Sequence, residues 1–145
     1  MTSLEHNKHI ARQWLTLVSE HRIDELCEMT APNWIMRGGP PALPEGPEGV
    51  RALFRAIGPV AQTWTIEDVI AEGDRVVVRA TNTCTQDSFF GVPAHGRPQV
   101  FSAIFIFQIE AGKVVRTWRN ADDLGRLLQL GARLVPGEPP APPAH

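Results

Sequence analysis

The residues best suited to chemistry lie where a predicted strand runs into a short predicted helix, within Lys113–Gly131. Alternate side chains of a strand point to the same face of a sheet. In the absence of a bulge, one face therefore carries Val114, Arg116, Trp118, Asn120 and Asp122. A carboxylate beside a tryptophan at the end of a strand is either a helix cap or an acid–base group in an apolar pocket.

Asp122 is the candidate general base. The chain has no tyrosine, so proton transfer must come from Asp, Glu, His, Lys, Cys or bound water. Burial beside Trp118 would favour the neutral carboxyl group, and a base tuned in this way typically contributes about 10²–10⁴-fold in rate. Such chemistry needs no metal and no organic cofactor. The alternative is that Asp122 caps the helix that begins near Leu124 by accepting hydrogen bonds from backbone N–H groups.

Several other side chains are candidates for substrate contact. Gln108 and Asn120 are able to polarise a carbonyl group or hold a water, although a buried amide needs partners in any case. Arg37 and His95 are further candidates, and His95 lies in a loop able to cover a pocket mouth. An apolar wall, with ordinary core packing as the alternative, is predicted from Trp34, Phe54, Trp64 and Trp118. Together these aromatic residues favour a flat, hydrophobic, polycyclic ligand.

Metal and thiol chemistry are not predicted. No group of His, Asp and Glu has the spacing of metal ligands. Cys27 and Cys84 form neither a metal motif nor a disulfide framework, so we expect two free thiols. Cys84 has no basic neighbour in sequence that would activate it as a nucleophile.

The first half of the chain is predicted to be mainly helical. Apolar residues at helical spacing predict helices over about residues 3–20, 23–29 and 47–57. Pro32 ends the helical pattern, and residues 34–36 are expected to form a brief strand. Between Gly38 and Gly49 the four prolines and four glycines predict a loop.

The second half is predicted to be a curved antiparallel sheet. Alternating apolar residues predict a hairpin of strands 63–72 and 75–83, and after an irregular stretch a long strand covers 99–109. Both faces of that long strand are apolar, so we expect helices on one face and a second subunit on the other. Helices followed by a strongly bent sheet form an α+β cone, whose interior is a natural small-molecule pocket.

Composition sets the remaining limits. With 145 residues we expect one domain over residues 1–134, followed by a proline-rich disordered tail over 135–145. The net charge of −2 and the scattered basic residues argue against nucleic acid and membrane partners. No apolar run is long enough to span a bilayer, and the first residues lack the apolar core of a signal peptide. We therefore expect a cytoplasmic protein.

The chain resembles the SnoaL-like polyketide cyclases over about residues 5–132. The motifs that carry this resemblance are Gly46–Arg51, Ile66–Arg79, Phe90–Pro93, Gly112–Val115 with Trp118, Asp122–Gly125 and Gln129–Gly131. Members of that family have the nuclear-transport-factor-2-like (NTF2-like) fold, a cone-shaped α+β barrel that is usually dimeric. They close or modify rings of aromatic polyketides in bacterial secondary metabolism.

The resemblance also suggests roles for particular residues. It implies that Asp122 is the acid–base group inside the cone and that Asp123 is the solvent-exposed neighbour. The chain departs from the family where cyclases often carry histidines, because it has Met36 and Arg37 in the early strand and Cys84 after a Thr. By approximate register, Gln108 takes the place of a polar partner of the base.

Three hypotheses follow from the sequence. The first is a cofactor-independent SnoaL-like cyclase with Asp122 as base. The second is a hydroxylase acting on a similar substrate, with or without a reductase partner, since the usual histidines are missing. The third is a noncatalytic binding or resistance protein that sequesters an aromatic metabolite.

Overall fold

Residues 2–142 are described by a computed structural model of the protein. Its helices are α1 (Ser3–Ser19), α2 (Ile23–Glu28), α3 (Pro47–Ile57) and α4 (Asp123–Gln129). Its strands are β1 (Thr30–Arg37), β2 (Gln62–Glu72), β3 (Arg75–Cys84), β4 (Ser88–Phe89), β5 (Val92–Pro93), β6 (Gln99–Glu110) and β7 (Lys113–Ala121).

One five-stranded sheet organises the fold, with strand order β1-β7-β6-β3-β2. The pairing of β1 with β7 is parallel, and the other pairings in this sheet are antiparallel. Strands β4 and β5 form a separate small hairpin. This architecture confirms the predicted α+β class, with three helices in the N-terminal half and a short C-terminal helix. The domain limit at residue 134 and the disorder of the tail stay predictions.

The first predicted strand is longer than expected. Strand β1 has eight residues and includes Pro32, which we had expected only to end the helical pattern. Proline is tolerated here because β1 is an edge strand, and its register against β7 is interrupted between Thr30 and Ile35.

The concave face of the sheet carries the core. Helices α1, α2 and α3 bury Trp14, Leu17, Leu26, Val50 and Phe54 in one cluster with side chains of β3 and β6. The inward side chains of β3 and β6 alternate strictly with exposed or half-buried ones. The buried side chains of these two strands are Val76, Val78, Ala80, Asn82, Cys84, Gln99, Phe101, Ala103, Phe105, Phe107 and Ile109.

A bulge in β2 changes which residues face the core. The register of β2 against β3 shifts between Ile66 and Asp68. The shift puts Val69 against the core, while Ile70 is 64% exposed on the convex face. The uninterrupted alternation predicted for strand 63–72 is therefore wrong beyond the bulge, because an extra residue exchanges the faces of all residues that follow it.

A second bulge has the same effect where β6 pairs with β7. Val114 lies opposite Ile109 and is fully buried, whereas Arg116 lies opposite Gln108 on the convex face. The predicted shared face of Val114 and Arg116 is thus broken by the register shift between Gln108 and Ile109. Downstream of the bulge, β7 presents Thr117 and Arg119 to the concave face, opposite Phe107 and Phe105.

We expect Gly38→Ala to destabilise the protein more than Gly112→Ala. Both glycines have left-handed backbones, with φ of +83° and +78°, so alanine costs about 1–2 kcal/mol at either position. At Gly38 an added Cβ would also lie 1.9 Å from the carbonyl oxygen of Arg119, whereas Gly112 faces open space. Urea unfolding of both variants measures the difference. Equal losses of unfolding free energy would contradict the close approach of Gly38 to β7.

Candidate functional site

The Asp122 side chain caps helix α4. Its Oδ1 accepts a hydrogen bond from the backbone N–H of Gly125 at 2.9 Å, and the residue is exposed. A Cβ on Gly125 would lie 2.2 Å from Asp122 Oδ2, so the glycine makes room for the carboxylate. The predicted placement of Asp122 inside the cone beneath Trp118 is therefore wrong. Its catalytic role stays a prediction.

The carboxylate that turns toward the sheet is that of Asp123. It is half-buried and receives Arg119 in a two-pronged ion pair, with Nη1–Oδ2 and Nη2–Oδ1 distances of 3.2 and 3.0 Å. Arg119 Nη1 also donates to the carbonyl oxygen of Gly38 at 3.2 Å. Because Arg119 lies opposite Phe105 on the concave side, this ion pair belongs to the interior end of α4. The expected assignment of Asp123 to the solvent is reversed.

Trp118 lies on the convex face of the sheet, opposite Ile106. The guanidinium groups of Arg75 and Arg116 sit 5.0 and 5.4 Å from the centre of its ring, within the range of cation–π attraction. The prediction that Trp118 lines the interior of the cone is therefore wrong, because the bulge in the β6–β7 pairing directs its side chain outward.

The two predicted amide residues share that convex face. Gln108 lies opposite Arg116, and its Nε2 donates to Asp74 Oδ2 at 2.9 Å and to Glu110 Oε1 at 3.3 Å. Asn120 is exposed opposite Ile104. Both side chains therefore lie on the face opposite to the interior. Their predicted placement in the pocket is wrong because of the same register shift between β6 and β7. Contact of either residue with a ligand stays a prediction.

Two of the predicted aromatic residues do face the interior. Trp34 is fully buried, and its indole N–H donates to Thr117 Oγ1 at 3.1 Å. Trp64 is half-buried and meets Phe101 and Phe105 edge to face, with ring centres 5.6 and 5.0 Å apart. Trp34 is thus tied into the core, whereas Trp64 is the more accessible part of the predicted wall.

The remaining predicted residues lie apart from one another. Phe54 is buried on α3 and borders an open cleft of about 480 Å³, where its ring meets that of His21 at 5.5 Å. Arg37 is exposed at the end of β1, in register with Trp118. His95 is exposed after β5 with a φ of +52°.

The structure reveals a buried arginine that the sequence reasoning missed. Arg126 is only 5% exposed, whereas Leu124 and Leu128, which fit an apolar helical stripe, are about half exposed. With Asp122 as cap, the inward face of α4 carries Asp123, Arg126 and Leu130, which follow one another at i, i+3 and i+7. The one sequence signal that could have indicated the burial of Arg126 was this spacing, together with the position of Arg126 as the single charge among the leucines.

Neutral groups surround the Arg126 guanidinium. Its Nε donates to Gln99 Oε1 at 2.7 Å, and its Nη2 donates to Gln86 Oε1 at 2.5 Å and to Cys84 Sγ at 3.5 Å. The rings of Phe89 and Phe101 lie 3.8 and 4.6 Å from its central carbon. Among residues 2–142 none of its hydrogen-bond partners is a carboxylate. We call these six residues the Arg126 cluster.

Burial is the main influence on the charge of this arginine. Desolvation lowers the pKa of Arg126 from its usual value, and the nearby positive charge of Arg119 lowers it further. Cys84 and Asp123 act in the opposite direction. A guanidinium remains protonated in proteins, so the cluster contains a positive charge that is largely removed from water.

A second buried polar group lies next to the cluster on β3. Asn82 is 1% exposed, and its Nδ2 donates to Gln62 Oε1 at 3.0 Å, but its Oδ1 has no donor among the described residues. Asn82 and Cys84 lie two residues apart on the concave face, opposite Phe101 and Gln99. The interior end of α4 therefore combines a cation, an acceptor in need of a donor, and aromatic surface.

Two further searches of the described chain bear on function. In residues 2–142 no three His, Cys, Asp or Glu side chains converge as a metal site would require. None of the helices in that part of the chain combines the length and the apolar composition needed to cross a membrane.

Several solved structures have folds similar to that of this chain. TsrD from Streptomyces laurentii is 30% identical over 92% of this chain and 100% of its own, with a TM-score of 0.78. IdmH from Streptomyces antibioticus, a proposed polyketide cyclase, is 26% identical over 87% of this chain and 99% of its own, with a TM-score of 0.70. An NTF2-like protein from Burkholderia pseudomallei shares the fold at 19% identity, covering 91% of this chain and 100% of its own, with a TM-score of 0.71.

Sequence comparison identifies the family. A search of curated proteins gives no match. The family model described as a SnoaL-like domain matches residues 11–117, which is most of the chain and extends from the middle of α1 through β6 to the first part of β7. The resemblance drawn from the sequence motifs is thus confirmed, and the chain belongs to the SnoaL-like family with its NTF2-like fold.

Proposed function

We propose that this protein is an enzyme that binds an aromatic polyketide or a similar polycyclic intermediate of secondary metabolism and closes one of its rings by an aldol-type reaction without a cofactor. The observation that carries the proposal is the inward face of the sheet, where aromatic side chains lead to charged groups at α4. Membership of the SnoaL-like family and the similarity to IdmH, a proposed polyketide cyclase, support the ligand class.

The aromatic part of this face suits a planar ligand. Trp64, Phe101 and Phe105 form a connected edge-to-face group, and Trp64 keeps part of its surface accessible. Aromatic rings favour such offset and edge-on arrangements with one another and with a bound polycycle. The Arg119–Asp123 pair and the Arg126 cluster at the α4 end are suited to polar substituents.

Asp122 is our proposed acid–base residue. The residue is exposed and its carboxylate is oriented by the Gly125 N–H, and we propose that it meets the ligand at the N-terminal end of α4. In the proposed step, Asp122 takes a proton from a carbon between two carbonyl groups. The resulting enolate carbon attacks a ketone carbon to form the new C–C bond, and the alkoxide recovers the proton from the Asp122 carboxyl group.

We expect Asp122→Asn to lower turnover by about 10²-fold or more, because the amide cannot act as a base. Asparagine caps a helix about as well as aspartate, so the melting temperature should stay nearly unchanged. Conversion of aromatic poly-β-ketone precursors, followed by liquid chromatography and mass spectrometry, measures the effect.

The control for this test is Asp123→Asn, which removes the charge that pairs with Arg119 but leaves Asp122 in place. We expect it to retain more activity than the Asp122 variant. Full turnover by Asp122→Asn would mean that Asp122 serves only as a helix cap. Incorporation of oxygen from labelled O₂ gas would contradict ring closure and favour hydroxylation.

We also propose a homodimer formed through the convex face of the sheet. This face exposes Ile70, Val100 and Ile104, and it carries Trp118 with its flanking arginines. Exposed aliphatic and aromatic side chains on one face of a sheet are typical of a protein–protein interface. On this basis Trp118, Gln108 and Asn120 contact the second subunit.

We expect Ile104→Lys to produce a monomer, because it places a charge in the centre of the proposed interface. The matched control is Leu4→Lys on α1, since Leu4 is 40% exposed and Ile104 is 47% exposed. Size-exclusion chromatography with light scattering gives the masses. A monomeric parent protein, or a dimer that survives Ile104→Lys, would contradict the proposed interface.

The cellular setting belongs to the same proposal. Cys27 and Cys84 are both free thiols, which fits a reducing compartment such as the cytoplasm. We propose no nucleic acid or membrane partner, because the basic residues are scattered over a chain of net charge −2.

A further inference from the structure

We propose that Arg126 is an oxyanion-binding residue, which selects planar aromatic ligands that carry an anionic oxygen as a carboxylate, phenolate or enolate. The inference rests on the proposed function for its aromatic ligand and adds the charge that this ligand must carry. It assigns a binding role to Arg126, a residue that takes no part in the proton transfers proposed for Asp122.

The hydrogen-bond donors of Arg126 are only partly used. A guanidinium has five N–H donors. Within the protein, Nε donates to Gln99, and Nη2 donates to Gln86 and Cys84. Nη1 has no acceptor among the described residues and is not fully buried, although the residue as a whole is only 5% exposed. An oxyanion placed there would receive charge-assisted hydrogen bonds from a donor group that is already held in position.

The charges around the cluster favour an anion. A buried charge is normally paired with an opposite charge, because desolvation is costly. Arg126 instead has two amide oxygens and a thiol as partners, and the one nearby carboxylate, that of Asp123, is already paired with Arg119. The Arg126 guanidinium is therefore left without a carboxylate partner of its own among the described residues.

The surroundings also explain why the ligand would be aromatic. The guanidinium lies over the rings of Phe89 and Phe101, and the Phe101 ring in turn contacts that of Trp64. An oxyanion at Nη1 would thus be attached to a ring system lying along this aromatic surface.

A purely structural role is the competing explanation. Arg126 joins α4 to β3 and β6, so it contributes to stability whatever it binds. A helix anchor has no reason to distinguish a charged ligand from a neutral one of equal shape. Ligand selectivity is therefore the property that separates the two roles.

The test compares 2-naphthoate with its neutral analogue 2-naphthamide by isothermal titration calorimetry. We expect the parent protein to bind the carboxylate at least tenfold more tightly than the amide. Arg126→Met should abolish this preference while leaving 2-naphthamide binding nearly unchanged. Arg116→Met, the same substitution on the convex face, should keep the preference.

A second measurement uses the parent protein alone, so that the test does not depend on the folding of Arg126→Met. In ¹⁵N–¹H spectra, 2-naphthoate but not 2-naphthamide should shift the side-chain N–H resonance of a slowly exchanging arginine. An absence of any such shift under saturating 2-naphthoate would overturn the assignment.

The outcomes separate this inference from the proposed function. Equal affinities for the two probes, or a preference that survives in folded Arg126→Met, would overturn the role of Arg126 and leave the aromatic ligand standing. Failure of both probes to bind would overturn both proposals. A preference that depends on Arg126 in a protein without ring-closing activity would support the inference while the proposed reaction fails.

Discussion

The pairing of β6 with β7 determines which side chains reach the interior of the cone. Because strand side chains alternate between faces, one residue inserted between paired positions exchanges the two faces beyond that point. The bulge beside Ile109 keeps Val114 in the core but directs Trp118 outward, and it places Arg119 opposite Phe105. Arg119 then forms its ion pair with Asp123 in the first turn of α4. The side chains that β7 presents to each face of the sheet therefore follow from this one register shift.

The start of α4 has an equally large effect on the charged end of the cone. Once Asp122 caps the helix, the inward face passes through Asp123, Arg126 and Leu130. Burial of a guanidinium opposes folding through desolvation, and the glutamine amides and phenylalanine faces offset only part of that cost. The same helical phase leaves Leu124 and Leu128 half exposed, although leucine is usually buried. The burial of the Arg126 cation is thus accompanied by the unfavourable exposure of two leucines.

The division of the interior into aromatic and polar ends connects the fold to the proposed chemistry. Trp34, bonded to Thr117, belongs to a packed core shared with α1. Toward α4 the fully buried core is followed by the half-buried Trp64 and then by the Arg126 cluster. NTF2-like proteins share this scaffold, and one fold supports many activities, so specificity resides in the residues at such an end. In this chain those residues include an arginine that a leucine-rich helix would not suggest.

The order of helices and strands along the chain could be predicted from the sequence alone. Helical and alternating periodicities located α1, α3 and the long strands, and the motifs around Gly46, Gly73 and Asp122 identified the family. The sequence also showed that Asp122 stood at a strand-to-helix junction, but it left the cap and the pocket acid as alternatives. Only the tertiary structure chose between them. The positions of the bulges and the face of α4 that is buried depend on contacts with strands that are distant in sequence. The spacing of neighbouring residues does not predict those contacts. For the same reason the inward position of Arg126 was decided by contacts with Cys84, Gln86 and Gln99, which are remote from it along the chain.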